Sequence, residues 1–348
     1  MMVGGPLPES SADAGRAASY PELRPALEGL FRRHRPDLGR IIRLESRRYA
    51  ERTSFHLVDL EIELEDGSVL RLLLKDLGLK NLHETARRVK PGFLYQPLRE
   101  IKTYQEILAR DRLGTAHFYG AVVRPDEDLY WLLLEKVPGV RLSQVGDESA
   151  WLQAARWLAR LHSRFRRGSE TLSRSAPLLH YDAAFYRQWL ERAERFRSVG
   201  LGRAARESLA DMYSRAIERL TQLPCTLVHG DFHASNILVE ETRGGRRICP
   251  VDWEMAAVGP GLIDLAALSS GTWAERERTE MAAAYHDALL SEGWRRFPFE
   301  DLLLALDDCR LHLAIRWLGW APDWSPPPEN AHNWLGEAIA LCEKMRMR

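Results

Sequence analysis

The chain has 348 residues, 45% of them hydrophobic, enough to bury a sizeable core in two lobes or domains. Lysine plus arginine and aspartate plus glutamate each total 49, so the net charge is zero and the pI is near 7.2. That balance gives no support to a nucleic-acid partner, which draws on a basic excess, and offers no global acidity to attract polycations.

Residues 1–20 are rich in Gly, Pro, Ser and Ala and lack a basic start followed by an apolar block. They read as a disordered leader rather than a signal peptide. No apolar run is long enough to cross a bilayer, so no membrane partner is expected. Cys225, Cys249, Cys309 and Cys342 are scattered without a C-x-x-C pattern, which fits a reducing cytoplasm.

Residues 21–137 read as a small α+β lobe. Ile41–Glu45 is a first strand, and Asp59–Leu64 alternates strictly, as a strand with one solvated face should. Asp66-Gly67 is a tight turn, and Val69–Lys75 returns as an apolar strand ending on a lysine. Burying Lys75 is costly unless it is paired, and the natural partner is an acid on the next helix; left alone it would snorkel to the surface. That helix is expected over Pro97–Arg110, with Glu100 and Glu106 as the acidic choices. Before it, Leu77–Gln96, with Arg87, Arg88 and Lys90, is a lid or an insertion. His117–Val123 and Tyr130–Glu135 form a further strand pair, and Lys136–Val140 breaks the pattern.

Residues 138–348 read as a second, mainly helical lobe. Trp151, Ala154, Ala155, Leu158 and Leu161 recur at helical spacing. Helices follow over Tyr186–Phe196, Ala204–Leu220, Arg276–Glu292 and Phe299–Trp320. On the last, Asp308, His312 and Arg316 are four residues apart and share a face, with Asp307 beside them. Trp317, Trp320, Trp324 and Trp334 follow, around a Ser-Pro-Pro-Pro run.

Between these helices lies Leu227–Asp264, the stretch that carries the chemistry. A short apolar run ends at His229, and a polar loop, Gly230-Asp231-Phe232-His233-Ala234-Ser235-Asn236, leaves it. Ile237–Val239 and Arg247–Val251 are two more apolar runs around Gly244-Gly245, a strong hairpin signal. A turn centred on those glycines places Asp252 opposite Ile237, one position from Asn236. An amide oxygen and a carboxylate then meet at one end of a hairpin, with Asp231 entering the same corner. Mg²⁺ takes oxygen ligands of this kind, often only one or two carboxylates, and leaves room for phosphate oxygens. His229 and His233 are four apart, but no H-E-x-x-H helix carries them. Asp264, just after Gly259-Pro260-Gly261, is placed to cap a helix.

H-G-D-x-x-x-x-N followed by D-W-E resembles the protein-kinase pattern H-R-D-x-x-x-x-N followed by D-F-G. In this form it is similar to the aminoglycoside phosphotransferase and choline kinase superfamily of small-molecule kinases. The resemblance covers roughly Ile41 to Trp320 and implies an α+β, two-lobed protein-kinase-like fold. In that fold a small antiparallel sheet with one helix precedes a large helical lobe that carries the catalytic hairpins. It implies ATP and Mg²⁺ as cofactors and a small-molecule hydroxyl as acceptor. Asp231 would be the base or orienting group, Asn236 and Asp252 the metal ligands, and His229 and Asp264 supports of the loop. Lys75 would hold the ATP phosphates. Glu100 would hold Lys75, because the pairing glutamate in such kinases precedes an aromatic by four residues, here Tyr104. Backbone groups of Glu135, Lys136 and Val137 would read the adenine edge.

The departures inform as well. Gly230 replaces the arginine that reads a phosphorylated activation loop in many protein kinases. Only eleven residues separate Asp252 from Asp264, which leaves no room for a peptide-holding activation segment. Ser46–Ser54, where a glycine-rich phosphate loop belongs, has no glycine. C-terminal helices line acceptor pockets in the family, which makes Asp307, Asp308, His312 and Arg316 substrate candidates. A salt-bridged polar stripe accounts for the same residues. The alternative to the kinase is a nucleotide-binding pseudokinase acting as a regulatory or scaffold module; a protein kinase and a metal-dependent phosphoesterase stand behind it. Oligomeric state is not legible.

Overall fold

The computed structural model describes residues 22–49, 54–111, 113–166, 168–197, 203–294, 297–320 and 332–347. The leader, residues 50–53 of the stretch where a phosphate loop is expected, and Trp324 with its proline run lie outside the described residues. Two compact units emerge: residues up to Arg87 with Ala116–Lys136, and Arg88–Thr115 with the chain from Val137 onward.

The first unit is a five-stranded antiparallel sheet with one helix. Helix α1 (Leu23–His34) precedes β1 (Ile41–Arg48), β2 (His56–Leu64) and β3 (Val69–Asp76); β4 (Phe118–Arg124) and β5 (Leu129–Glu135) complete the order β1-β2-β3-β5-β4. The period-two pattern of β2 turns Val58, Leu60, Ile62 and Leu64 to one buried face. Leu23, Leu27, Leu30 and Phe31 of α1 cover that face, together with Leu72, Leu74, Trp131 and Leu133. Gly120 has φ of +148°, and a Cβ there would meet Leu30 at 3.1 Å, so glycine lets helix and sheet approach. Lys75 is paired in register with Leu57 and Leu132 and is only 8% exposed.

The chain leaves this unit within α2 (Glu84–Val89). The helix expected over Pro97–Arg110 is one helical stretch of changing pitch. It is α-helical as α3 (Pro97–Lys102), a π turn over Thr103–Ile107, and 3₁₀ over Leu108–Arg110.

The second unit is mainly helical. It holds β6 (Val140–Arg141), α4 (Glu148–Phe165), α5 (Ser169–Ser175), β7 (Leu179–His180), α6 (Ala183–Arg197) and α7 (Arg203–Leu220). Then come β8 (Cys225–Val228), β9 (Ile237–Thr242), β10 (Gly245–Pro250), β11 (Ala257–Pro260), α8 (Leu262–Leu268), α9 (Glu275–Ser291), α10 (Phe299–Leu318) and α11 (Trp334–Arg346). Helix α10 lies against α6, α7, α8, α9 and α11 and is buried along most of its length. No helix among the described residues is long and apolar enough to cross a membrane.

The β9–β10 hairpin corrects one expectation. Its turn is Arg243-Gly244, and Gly245 already pairs with Thr242. Pro250, not Asp252, therefore sits opposite Ile237. Thr242 closes the turn one residue early, its hydroxyl accepting from Gly244 N at 3.3 Å and donating to Gly245 O. The shift is two residues, so each side chain keeps its face of the pleat.

Candidate active site

Strand β8, which pairs antiparallel with β11, ends at Val228, and the chain turns out of that sheet into the loop before β9. Gly230 makes the turn with φ of +78°; a Cβ there would lie 2.2 Å from Met255 O. The fully buried Asp264 of α8 fastens the turn. Its Oδ2 accepts from His229 N at 2.7 Å and its Oδ1 from Gly230 N at 2.9 Å. His162 Nε2 stands 3.4 Å from the same carboxylate. Two backbone donors and an imidazole are what a carboxylate needs to remain inside a core. The carboxylate thus braces the loop, while the backbone N–H of Asp264 goes to Gly261 O.

His229 ties the loop to the next segment. Asp231 N donates to its Nδ1 at 3.3 Å, which leaves Nε2–H to donate to Val251 O at 2.9 Å. Val251 N in turn donates to Asn236 O at 2.9 Å. Asn236 and Asp252 are therefore neighbours across this pairing, although not through the ladder position expected from the turn.

Asp231 is partly exposed and held from both sides. Arg316 Nη2 donates to its Oδ1 at 2.5 Å, and Arg316 Nη1 to Gly230 O at 2.5 Å. Asn236 Nδ2 donates to Asp231 Oδ2 at 2.9 Å and to Asp231 O at 3.0 Å. Burial pushes the Asp231 carboxyl up, but Arg316 and the neighbouring His233 and His229 outweigh it and hold it below the usual carboxylate range. Burial pushes His233 down to about 4, so its ring is neutral near pH 7.

With its amide nitrogen turned to Asp231, Asn236 has its amide oxygen as the side-chain acceptor that could meet a cation. Asp252 adopts the left-handed region at φ of +66°, which aspartate tolerates better than most residues. No group of three or more His, Cys, Asp or Glu side chains converges on a metal position among the described residues. An amide oxygen and one carboxylate, completed by water or phosphate oxygens, is nevertheless a donor set that suits Mg²⁺.

One segment clasps the turn after Asp252, and the sequence had not signalled it. Trp253 N donates to Glu100 Oε1 at 3.2 Å. Arg99 donates to Glu254 O at 2.7 Å, Leu94 O at 3.0 Å and Pro177 O at 3.0 Å. Lys90 pairs with the Glu254 carboxylate at 2.5 Å. Burial lowers Arg99 to about 10, partly offset by Glu254 and Tyr181, so it stays charged near neutrality.

Comparison with known proteins identifies the architecture. The model of the phosphotransferase enzyme family matches residues 87–299, well over half of the chain. The protein belongs to that family. Its setting is the aminoglycoside phosphotransferase and choline kinase-like superfamily, with the protein-kinase-like fold of a small sheet lobe and a larger helical lobe. An aminoglycoside phosphotransferase candidate from Ralstonia eutropha JMP134 superposes with a TM-score of 0.61 at 16% identity, over 92% of this chain and 98% of that one. The GDP complex of wild-type aminoglycoside 2'-phosphotransferase-IIIa gives 0.54 at 14% identity, over 93% and 99%. The ethanolamine kinase of Plasmodium vivax gives 0.53 at 12% identity, over 88% and 82%. At such identities the likeness is one of fold. No curated protein matches the sequence significantly.

In this phosphotransferase the remaining candidates are dispersed. Glu135 Oε2 accepts from His117 N at 3.0 Å, and Lys136 Nζ pairs with Asp59 at 2.7 Å. Their backbone N–H groups are engaged as well, Glu135 N donating to His117 O at 2.8 Å and Lys136 N to Arg71 O at 3.1 Å. The stripe on α10 is buried and does share a face. Asp308 takes a two-pronged ion pair from Arg219, and His312 Nδ1 meets Tyr213 OH at 2.7 Å. Asp307 is paired instead with Lys344 at 2.9 Å and Arg310 at 3.3 Å. Arg316 alone of the four reaches Asp231. Trp317 and Trp334 stack at 5.3 Å, and Trp317 meets the His233 ring edge-on.

Proposed function

We propose that the protein transfers the γ-phosphoryl group of ATP to a hydroxyl of a small molecule. The observation that carries this reading is the carboxylate of Asp231, held below the usual carboxylate range beside Arg316 and fixed by Arg316 and Asn236, on the loop that ends at Asn236. The acceptor oxygen attacks phosphorus, its proton passes to Asp231, and the bond to the ADP oxygen breaks. Asn236 and Asp252 would hold Mg²⁺ through oxygen atoms. When bound, the metal neutralises charge on the phosphates. Lys75 would serve the nucleotide phosphates, and the backbone of Glu135–Val137 the base. His229 and Asp264 act by holding the loop that carries Asp231.

The short connection from Asp252 to Asp264 supports a small acceptor over a peptide. Eleven intervening residues of helical turn, strand and glycine turn leave no segment to bind one. The test is an ADP-release screen with Mg-ATP against aminoglycosides, amino sugars, neutral sugars, choline, ethanolamine, homoserine and nucleosides. A hit that Asp231→Ala abolishes supports the reading. ATP binding with no acceptor-dependent release on any compound would transfer weight to the regulatory nucleotide-binding module.

A further inference from the structure

Three residues of α10, Asp308, His312 and Arg316, are buried at four-residue steps. The first two meet α7 through Arg219 and Tyr213 and so fix the rotation and axial position of α10. Arg316, one turn on, is then delivered to the loop after β8. It is 5% exposed and spends one guanidinium nitrogen on Gly230 O and the other on Asp231 Oδ1.

We propose that Arg316 is a positioning residue that sets the rotamer of Asp231, with α10 serving as the rail that carries it. The inference rests on Asp231 receiving the acceptor proton as proposed above. A carboxylate on a loop turns about two side-chain bonds. Here Oδ1 is fixed by Arg316 and Oδ2 by Asn236, so the plane of the carboxylate is set from both sides. The planar fork of arginine suits this double task, since a lysine presents one charge point. The peptide at Gly230 is likewise held twice, its N–H by Asp264 and its neighbouring carbonyl by Arg316. His233 Nε2 lies 3.8 Å from Oδ1, too far for a hydrogen bond, and does not replace the arginine. Arg316 falls outside the residues matched by the family model, so the loop motif does not announce it.

The experiment compares Arg316→Ala, Arg316→Lys and Asp231→Ala with the wild type. It reads kcat and KM for ATP, and hydrogen exchange over residues 229–236. In Arg316→Ala, kcat should fall about 10²-fold with KM for ATP unchanged, as for a misplaced catalytic group. Sub-denaturing guanidinium should restore part of that loss, but none in Asp231→Ala. Arg316→Lys should fall between and covers the case in which the alanine variant does not fold. Exchange over 229–236 should quicken in both arginine variants. Wild-type kcat in a folded Arg316→Ala, or a loss with neither rescue nor faster exchange, would overturn the proposal. A wild type without acceptor-dependent ADP release overturns the phosphotransfer reading instead, and the exchange data still decide whether Arg316 holds the loop.

Discussion

Lys90 and Glu254 form an ion pair at 2.5 Å with the lysine side chain 6% exposed and the carboxylate 19% exposed. The two residues are far apart in sequence, and each lies beside a contact that matters. Glu254 follows Asp252 by two, and the helix after Lys90 sends Arg99 and Glu100 to the same turn. An ion pair this buried is weak evidence for net stability, because desolvation offsets attraction, but removing one partner strands the other.

Lys90→Met is therefore expected to lower unfolding free energy by about 2–4 kcal/mol, below the fully buried case because Glu254 keeps some solvent. Adding Glu254→Gln should recover part of it. Urea unfolding of the two single variants and the double variant checks this, and simple additivity would remove the coupling. Because the turn carries Asp252, Lys90→Met should also raise the Mg²⁺ concentration needed for half-maximal activity.

Gly230→Ala should be more damaging than an ordinary loop substitution. The backbone stands at φ of +78°, and the new methyl would press on Met255 O at 2.2 Å. Left-handed strain costs about 1–2 kcal/mol, to which the clash adds. The loop would move away from Asp264, so activity should be lost before global unfolding. A fully active Gly230→Ala would show that the loop relaxes freely. The same geometry explains why an arginine, the protein-kinase residue, does not fit here.

These two examples mark what was legible in the sequence. That Asp231, Asn236, His229 and Asp264 meet at one loop was visible because spacing within one loop and one hairpin is local, and local chemistry is written in order. Strand β2 and helices α4 and α10 were visible for the same reason, through periods of two and 3.6, whereas α1 and α11 were not singled out. The hairpin register was misread because Thr242, not the glycine pair, closes the turn. The clasp of Lys90 and Arg99 on Glu254 was invisible, since a lone lysine or arginine carries no sign of which carbonyl or carboxylate it will meet. The stripe of α10 was visible as a stripe, but its partners lie on α7 and on the loop after β8.

Asp231→Ala should reduce kcat by about 10²–10⁴-fold, the range for losing a positioned acid–base group. ATP affinity should change little, because Asp231 is not among the groups assigned to the nucleotide. Isothermal titration with Mg-ATP and single-turnover kinetics separate the two. Near-wild-type turnover would remove Asp231 from the chemistry. Asp252→Ala should show the opposite profile, with weaker Mg²⁺-dependent nucleotide binding.

Acid should destabilise the fold through His312. Burial and the nearby Arg316 lower this imidazole from 6.5 to about 3, within a cage of Tyr181, Phe185, Tyr186 and Tyr213. Between those values the unfolded chain takes up a proton that the folded chain refuses. The contribution is therefore complete above about pH 6.5 and is lost progressively as pH falls toward 3. A single such group costs up to about 1.4 kcal/mol per pH unit over that range. His312→Gln keeps an acceptor for Tyr213 OH but cannot titrate. Its urea midpoint should start lower at pH 7 and then fall less steeply than that of the wild type between pH 6.5 and 4.5. Parallel slopes in the two proteins would place the acid sensitivity elsewhere.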